Sequence, residues 1–125
     1  MIKRNILFVG ERCNIKISNI PFDKRYNSGK FLYKSLQNLP HWIYESCHFE
    51  FDNVYKGNRI NRQLERKQYS VDRVIALGDK SFRLLFKMNI SCVYVPHPSF
   101  YKRFKSKRGY KGYSKLISEA IINGN

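Results

Sequence analysis

Ile6-Leu7-Phe8-Val9-Gly10-Glu11 and Val93-Tyr94-Val95-Pro96-His97-Pro98-Ser99 are the two stretches on which the fold turns. Each is a short apolar run that stops at a polar tip. Both read as buried strands, because a strand covered on both faces needs no polar alternation. In open α/β sheets ligands bind at the carboxyl ends of the strands. Glu11 and His97 are therefore expected to face one cleft despite their distance in sequence. Directly after them comes Phe100-Tyr101-Lys102-Arg103-Phe104-Lys105-Ser106-Lys107-Arg108, a basic and aromatic stretch read as a loop. A carboxylate, a histidine and a cationic aromatic loop at one mouth point to chemistry on nucleic acid.

Working outward, Val74-Ile75-Ala76-Leu77 is the clearest strand. Gly78 follows, then Asp79 as the expected cap of a helix over 80–87, with Phe82, Leu85 and Phe86 inward. Residues 11–27 read as a polar loop. Ser28 is the expected cap of a helix over 29–39, with Leu32, Leu36 and Leu39 on one face and Pro40 ending it. Residues 42–51 read as one or two short strands, 53–62 as loop, 60–68 as a short basic helix and 114–122 as a last amphipathic helix. The alternation of strand and helix predicts the α/β class. The expected architecture is a single three-layer domain over residues 1–125, with a central, mostly parallel four-stranded sheet flanked by helices.

Composition names the partner class. Lys and Arg number 24 against 9 Asp and Glu, a formal net charge of +15. Such a charge opposes compaction by self-repulsion unless a polyanion is the usual neighbour. DNA is the expected partner, because the charge comes with nine Tyr and nine Phe, more than a core needs in a basic tail. An anionic membrane surface is the second candidate for that charge and is set behind DNA, so no membrane partner is expected; no apolar run is long enough for a transmembrane helix. Cys13, Cys47 and Cys92 are widely spaced and form no CxxC pair, so no metal or cofactor is expected. An odd cysteine count with no secretion signal argues for a reducing cytoplasm. The basic, Lys/Asn/Ile-rich make-up suits a phage or mobile element, so a bacterial or phage-infected cell is the expected setting, and the chain is expected to be a monomer.

Five ordered segments together resemble the uracil-DNA glycosylase superfamily, nearest its family-4 and other short microbial branches, over nearly the whole chain. Phe8-Val9-Gly10-Glu11 looks like the opening of the family's Gly-Glu-x-Pro-Gly motif. Pro21-Phe22 with Ser28-Gly29-Lys30-Phe31-Leu32 is similar to the loop whose Phe stacks on an extruded base before a Gly-led helix. Asp52-Asn53-Val54-Tyr55-Lys56 looks like the segment whose Asn reads the base edge. Val74-Ile75-Ala76-Leu77-Gly78 matches the buried strand and glycine before the penultimate helix. His97-Pro98-Ser99 looks like the His-Pro-Ser/Ala motif. There are departures. Cys13-Asn14 stands where the family has Pro-Gly, Arg12 stands where other branches place Asp or Asn, and the family-4 iron–sulfur ligands are missing.

The resemblance implies a base-processing enzyme, and the residue chemistry agrees with each role. Phe22 offers a stacking platform and Asn53 one donor and one acceptor for a pyrimidine edge. His97 offers an N–H to the charge that develops on a departing base. Glu11 is expected to orient or activate water, or to bind the sugar and base region, with Arg12 beside it as its expected partner. Arg12, Ser99, Phe100, Tyr101, Lys102, Arg103, Lys105, Lys107 and Arg108 are the expected DNA contacts, with Phe100 or Tyr101 wedging into the gap left by the base. The expected activity is hydrolysis of the N-glycosidic bond of a uracil-like or modified pyrimidine. A phage-type base-modifying enzyme on the same scaffold and a non-catalytic DNA-binding module are the alternatives.

Overall fold

A computed structural model describes residues 3–13, 16, 18–104 and 109–123. The elements are β1 (Arg4–Gly10), α1 (Asn27–Gln37), α2 (His41–Ser46), β2 (Cys47–Asn53), β3 (Tyr55–Lys56), β4 (Arg59–Ile60), α3 (Gln63–Lys67), β5 (Arg73–Leu77), α4 (Asp79–Lys87), β6 (Val93–Val95), α5 (Pro98–Phe104) and α6 (Gly109–Asn123). Strands β2, β1, β5 and β6 form a four-stranded sheet in that order. Every pairing in it is parallel. The protein is thus α/β, with a parallel central sheet flanked by helices.

Alternate residues of β1 serve opposite cores, as the two-residue period of a strand requires. Ile6 and Phe8 join Ile75, Leu77, Val93 and Val95 under α1, α5 and α6, through Leu32, Leu36, Tyr101, Tyr113 and Ile117. Leu7 and Val9 join Val74 and Ala76 under α3 and α4, through Leu64 and Leu85. Burial on both faces is why β1 and β5 read as unbroken apolar runs. Each such side chain contributes roughly 1.5–3 kcal/mol by leaving water.

The chain leaves β1 for β2 on one side and later returns to β5 on the other. The direction of winding therefore reverses between β1 and β5, and that reversal opens a crevice at the carboxyl ends of the strands.

Four expectations are corrected. Residues 42–51 hold helix α2 before β2 rather than strands alone. Pro40 opens that helix, its carbonyl accepting from Ile43 and Tyr44, and only Ile43 turns inward while Trp42 is exposed. Phe86 is 74% exposed, because Leu85 and Ser81, four residues apart, occupy the inward face of α4. The segment after His97 is helix α5 rather than loop, with Pro98 at its first position, where a missing N–H costs nothing. Residues 53–62 include the β3–β4 hairpin. Among the described residues no helix is long and apolar enough to cross a membrane.

Candidate active site

A cavity of about 740 Å³ occupies the crevice. Its walls come from the exit of β1 (Glu11, Arg12, Cys13), the following loop (Phe22, Asp23), the end of β2 (Asn53), the β5–α4 turn (Gly78, Lys80) and the exit of β6 (His97, Ser99, Phe100). The structure thus brings Glu11, Arg12, Phe22, Asn53, His97, Ser99 and Phe100 together around one space.

His97 is fixed from several sides. Gly78 adopts φ +103, a conformation that favours glycine, and a Cβ there would lie 3.2 Å from the His97 Cβ. The buried Tyr113 hydroxyl donates to the Pro96 carbonyl, and the His97 carbonyl accepts from the Tyr101 N–H. The Ser99 N–H donates to His97 Nδ1 at 3.1 Å. With Nδ1 accepting, the neutral ring carries its hydrogen on Nε2. Burial lowers the His97 pKa, and the Glu11 carboxylate pulls the other way. The neutral Nε2–H donor is therefore the favoured form near neutral pH.

Phe22 holds a backbone φ of +50, a conformation costly for a bulky residue and typical of functional sites. Its ring centroid lies 6.1 Å from that of His97. A Cβ on Gly10 would meet Phe22 Cζ at 2.5 Å and Asn53 Oδ1 at 2.8 Å. Only glycine at the tip of β1 lets both side chains close over the strand. Asp23 braces this loop. Its carboxylate accepts from Ser18 Oγ at 2.7 Å, from Arg25 Nη2 at 2.7 Å and from the Arg25 N–H at 3.0 Å. Those bonds, Arg25 first, hold its carboxyl well below the usual range.

Asn53 continues the β1–β2 ladder, opposite Gly10. Beyond it the Val54 N–H donates to the Gly10 carbonyl and the Tyr55 N–H to the Glu11 carbonyl. Asn61 Nδ2 donates to both the Asn53 carbonyl and Asp52 Oδ1, at 3.0 Å each. Asp52 Oδ1 also accepts from the Asn53 N–H. Asn53 Nδ2 donates to Cys13 Sγ at 3.0 Å. Burial pushes the Cys13 thiol up, against the pull of that bond, so the sulfur is a neutral acceptor. Among the described residues, the second amide hydrogen and the oxygen of Asn53 find no hydrogen-bond partner.

Two placements differ from expectation. The Arg12 guanidinium stacks 4.5 Å from the Tyr55 ring centroid, and among the described residues no ion pair joins it to Glu11. Tyr101 is 6% exposed and packs on Phe31 and Tyr113, so it belongs to the core and not to a DNA surface. The reason is the helix itself, which turns Tyr101 inward while Phe100 stays half exposed at the cavity. Lys102 and Arg103 are exposed on α5. Lys105, Lys107, Arg108 and Asn14 lie outside the described residues.

Sequence reading missed Asp23, Asp52, Asn61 and Cys13 as members or supports of the site. Asp23 and Arg25, two apart beside Pro21-Phe22, carried a turn signal for the first. The rest depend on tertiary pairing. Among the described residues, no group of three or more His, Cys, Asp or Glu clusters as metal ligands would. An aromatic face, an amide edge, a neutral N–H donor and a carboxylate suit a flat heteroaromatic ring bearing carbonyls. Compared with protein-family models, curated proteins and solved structures, the chain finds no significant match.

Proposed function

We propose that this protein is a DNA glycosylase that draws a uracil-like or modified pyrimidine out of the helix and hydrolyses its bond to the sugar. One observation carries the reading: Glu11, Phe22, Asn53 and a tautomer-fixed His97, from four separate segments, line one cavity at the winding reversal of the sheet.

A base inside a duplex is out of reach of any pocket, and extruding it costs a few kcal/mol of stacking and pairing. Phe22 offers a face that replaces lost stacking. The free hydrogen and the oxygen of the Asn53 amide read the base edge. As the bond from sugar to base breaks, its electron pair leaves with the base and negative charge gathers on a ring carbonyl. His97 Nε2–H donates to that oxygen, in a site already organised for it. Glu11 accepts a hydrogen bond from the water whose oxygen adds to the sugar carbon, and the water's proton neutralises the departing base. Phe100 fills the gap in the stack.

The cavity is a half-open crevice with room for a substituted base as well as for plain uracil. About 740 Å³ is in the range that holds drug-sized ligands, well above what a bare pyrimidine fills. This also keeps open a base-modifying enzyme on the same scaffold. Oligonucleotides carrying uracil, hydroxymethyluracil or normal bases, read by alkaline cleavage, test the reading. Strand breaks at a modified base, lost in His97→Ala, are expected. An intact panel would overturn hydrolysis. Base conversion without breaks, followed by mass spectrometry, would move the assignment to modification.

A further inference from the structure

The β3–β4 hairpin breaks a local rule. Lys56 and Arg59 are directly opposed across its two strands. Like charges so placed on a two-stranded ribbon repel and destabilise it. Among the described residues, no carboxylate lies within ion-pair distance of either cation; Lys56 Nζ reaches only the neutral Gln63 Oε1, at 3.1 Å. Gly57, at φ +62, makes the tight two-residue turn that holds the pair side by side. A ribbon this short is marginal by itself. Here it is anchored, because the Tyr55 N–H bonds the Glu11 carbonyl, the Asn61 N–H bonds the Val54 carbonyl and Arg12 stacks on Tyr55. The fold therefore holds two unneutralised cations on a hairpin joined to the cavity wall through Arg12, which lines the cavity and stacks on Tyr55.

Their position matches the proposed reaction. The hairpin follows β2 and α5 follows β6, the two outer strands of the sheet. Three strand spacings of about 4.8 Å separate those exits, roughly 14 Å. At 3.4 Å of axial rise per nucleotide, that is about four nucleotides. The cavity opens between them.

We propose that the hairpin is a second DNA contact, in which Lys56 and Arg59 bind backbone phosphates on the Asn53 side of the cavity while α5 holds the His97 side. This rests on the DNA-processing reading above. The target nucleotide then lies between two phosphate grips, which hold the strand while its base turns inward.

The test is a fluorescence-anisotropy titration of the full chain on duplex DNA at several salt concentrations. Lys56→Ala with Arg59→Ala should flatten the slope of log affinity against log salt by about 1.8, two phosphates at about 0.9 each. Without DNA, the same variant should melt no lower than the wild type, and higher if the repulsion is strong. Lys34→Ala with Lys87→Ala removes equal charge from the far ends of α1 and α4 and should leave the slope unchanged. A hairpin variant with the wild-type slope, or a control variant flattened as much, overturns the proposal while leaving the DNA reading intact. Wild-type protein that binds no DNA overturns both. A loss seen only on anionic lipid vesicles would make the hairpin a membrane contact and overturn it as well.

Discussion

Gly10→Ala is the sharpest perturbation of the site that leaves its chemistry untouched. The added methyl would lie 2.5 and 2.7 Å from two ring carbons of Phe22 and 2.8 Å from Asn53 Oδ1. All three distances are shorter than carbon contacts allow, so ring and amide must both retreat. Neither retreats freely, since Phe22 already holds a strained backbone and Asn53 is tied through Asn61 and Cys13. Overpacking of this kind costs about 1–3 kcal/mol. For a chain of 125 residues that is a melting shift of roughly 3–5 °C per kcal/mol. Displacing platform and reader by about 1 Å should also slow turnover on the true substrate by about 10²-fold. The discriminating assay is a double-mutant cycle with Phe22→Ala, followed by thermal denaturation. Removing the ring removes two of the three clashes, so Gly10→Ala should cost much less in that background, with a coupling of about 1–2 kcal/mol. Additive losses would refute the contact, and an unchanged melting temperature for Gly10→Ala alone would refute the packing.

His97→Ala should slow turnover by about 10²–10³, the usual effect of losing one oxyanion donor, with the melting temperature near that of the wild type. Burial lowers the His97 pKa, so the neutral donor persists below the ordinary value, and the acid limb of the rate profile should fall below about pH 6.5. The same shift means that the unfolded chain takes up this proton first. Its stability contribution is complete above about pH 6.5 and declines as pH falls below it, a dependence that His97→Gln should remove from melting curves. Tyr113→Phe strips the Pro96 carbonyl of its donor and should cost about 1–3 kcal/mol while lowering kcat through a displaced His97. Asp23→Ala should speed amide hydrogen exchange at Arg25, whose N–H it holds, and at its neighbour Tyr26.

The sheet was legible because β1 and β5 are buried on both faces, β6 is apolar on its inner face, and all three stop at glycine or proline. The convergence of Glu11 and His97 was legible for a related reason, since parallel strands place their exits on one edge. What escaped reading has physical causes. Residues 42–51 mix aromatic and polar residues without a period, so Pro40 as a helix opener was outweighed by the aromatic strand signal. Tyr101 and Phe100 are adjacent and alike in type, and only the helix beginning at Pro98 decides which is core and which faces the cavity. Arg12 was paired with its neighbour Glu11, but a residue two strands away in sequence, Tyr55, captures it once the β1–β2 ladder is extended. Asn61 and Asp52 support Asn53 through bonds that exist only after the hairpin has folded back.

The central place of β1 sets a schedule for synthesis. β2 supplies one partner edge soon after β1, but the other edge waits for β5, about 20 residues beyond the end of β2. At about 5–20 residues per second, that leaves a row of unpaired backbone groups open on the growing chain for roughly 1–4 s. The row belongs to Ile6, Leu7, Phe8 and Val9, among the most apolar residues present, and such an edge recruits other chains. The segment made during that interval carries Arg62, Arg66 and Lys67. Like charges at that place oppose close approach of neighbouring nascent chains, in the manner of gatekeeper residues beside hydrophobic strands.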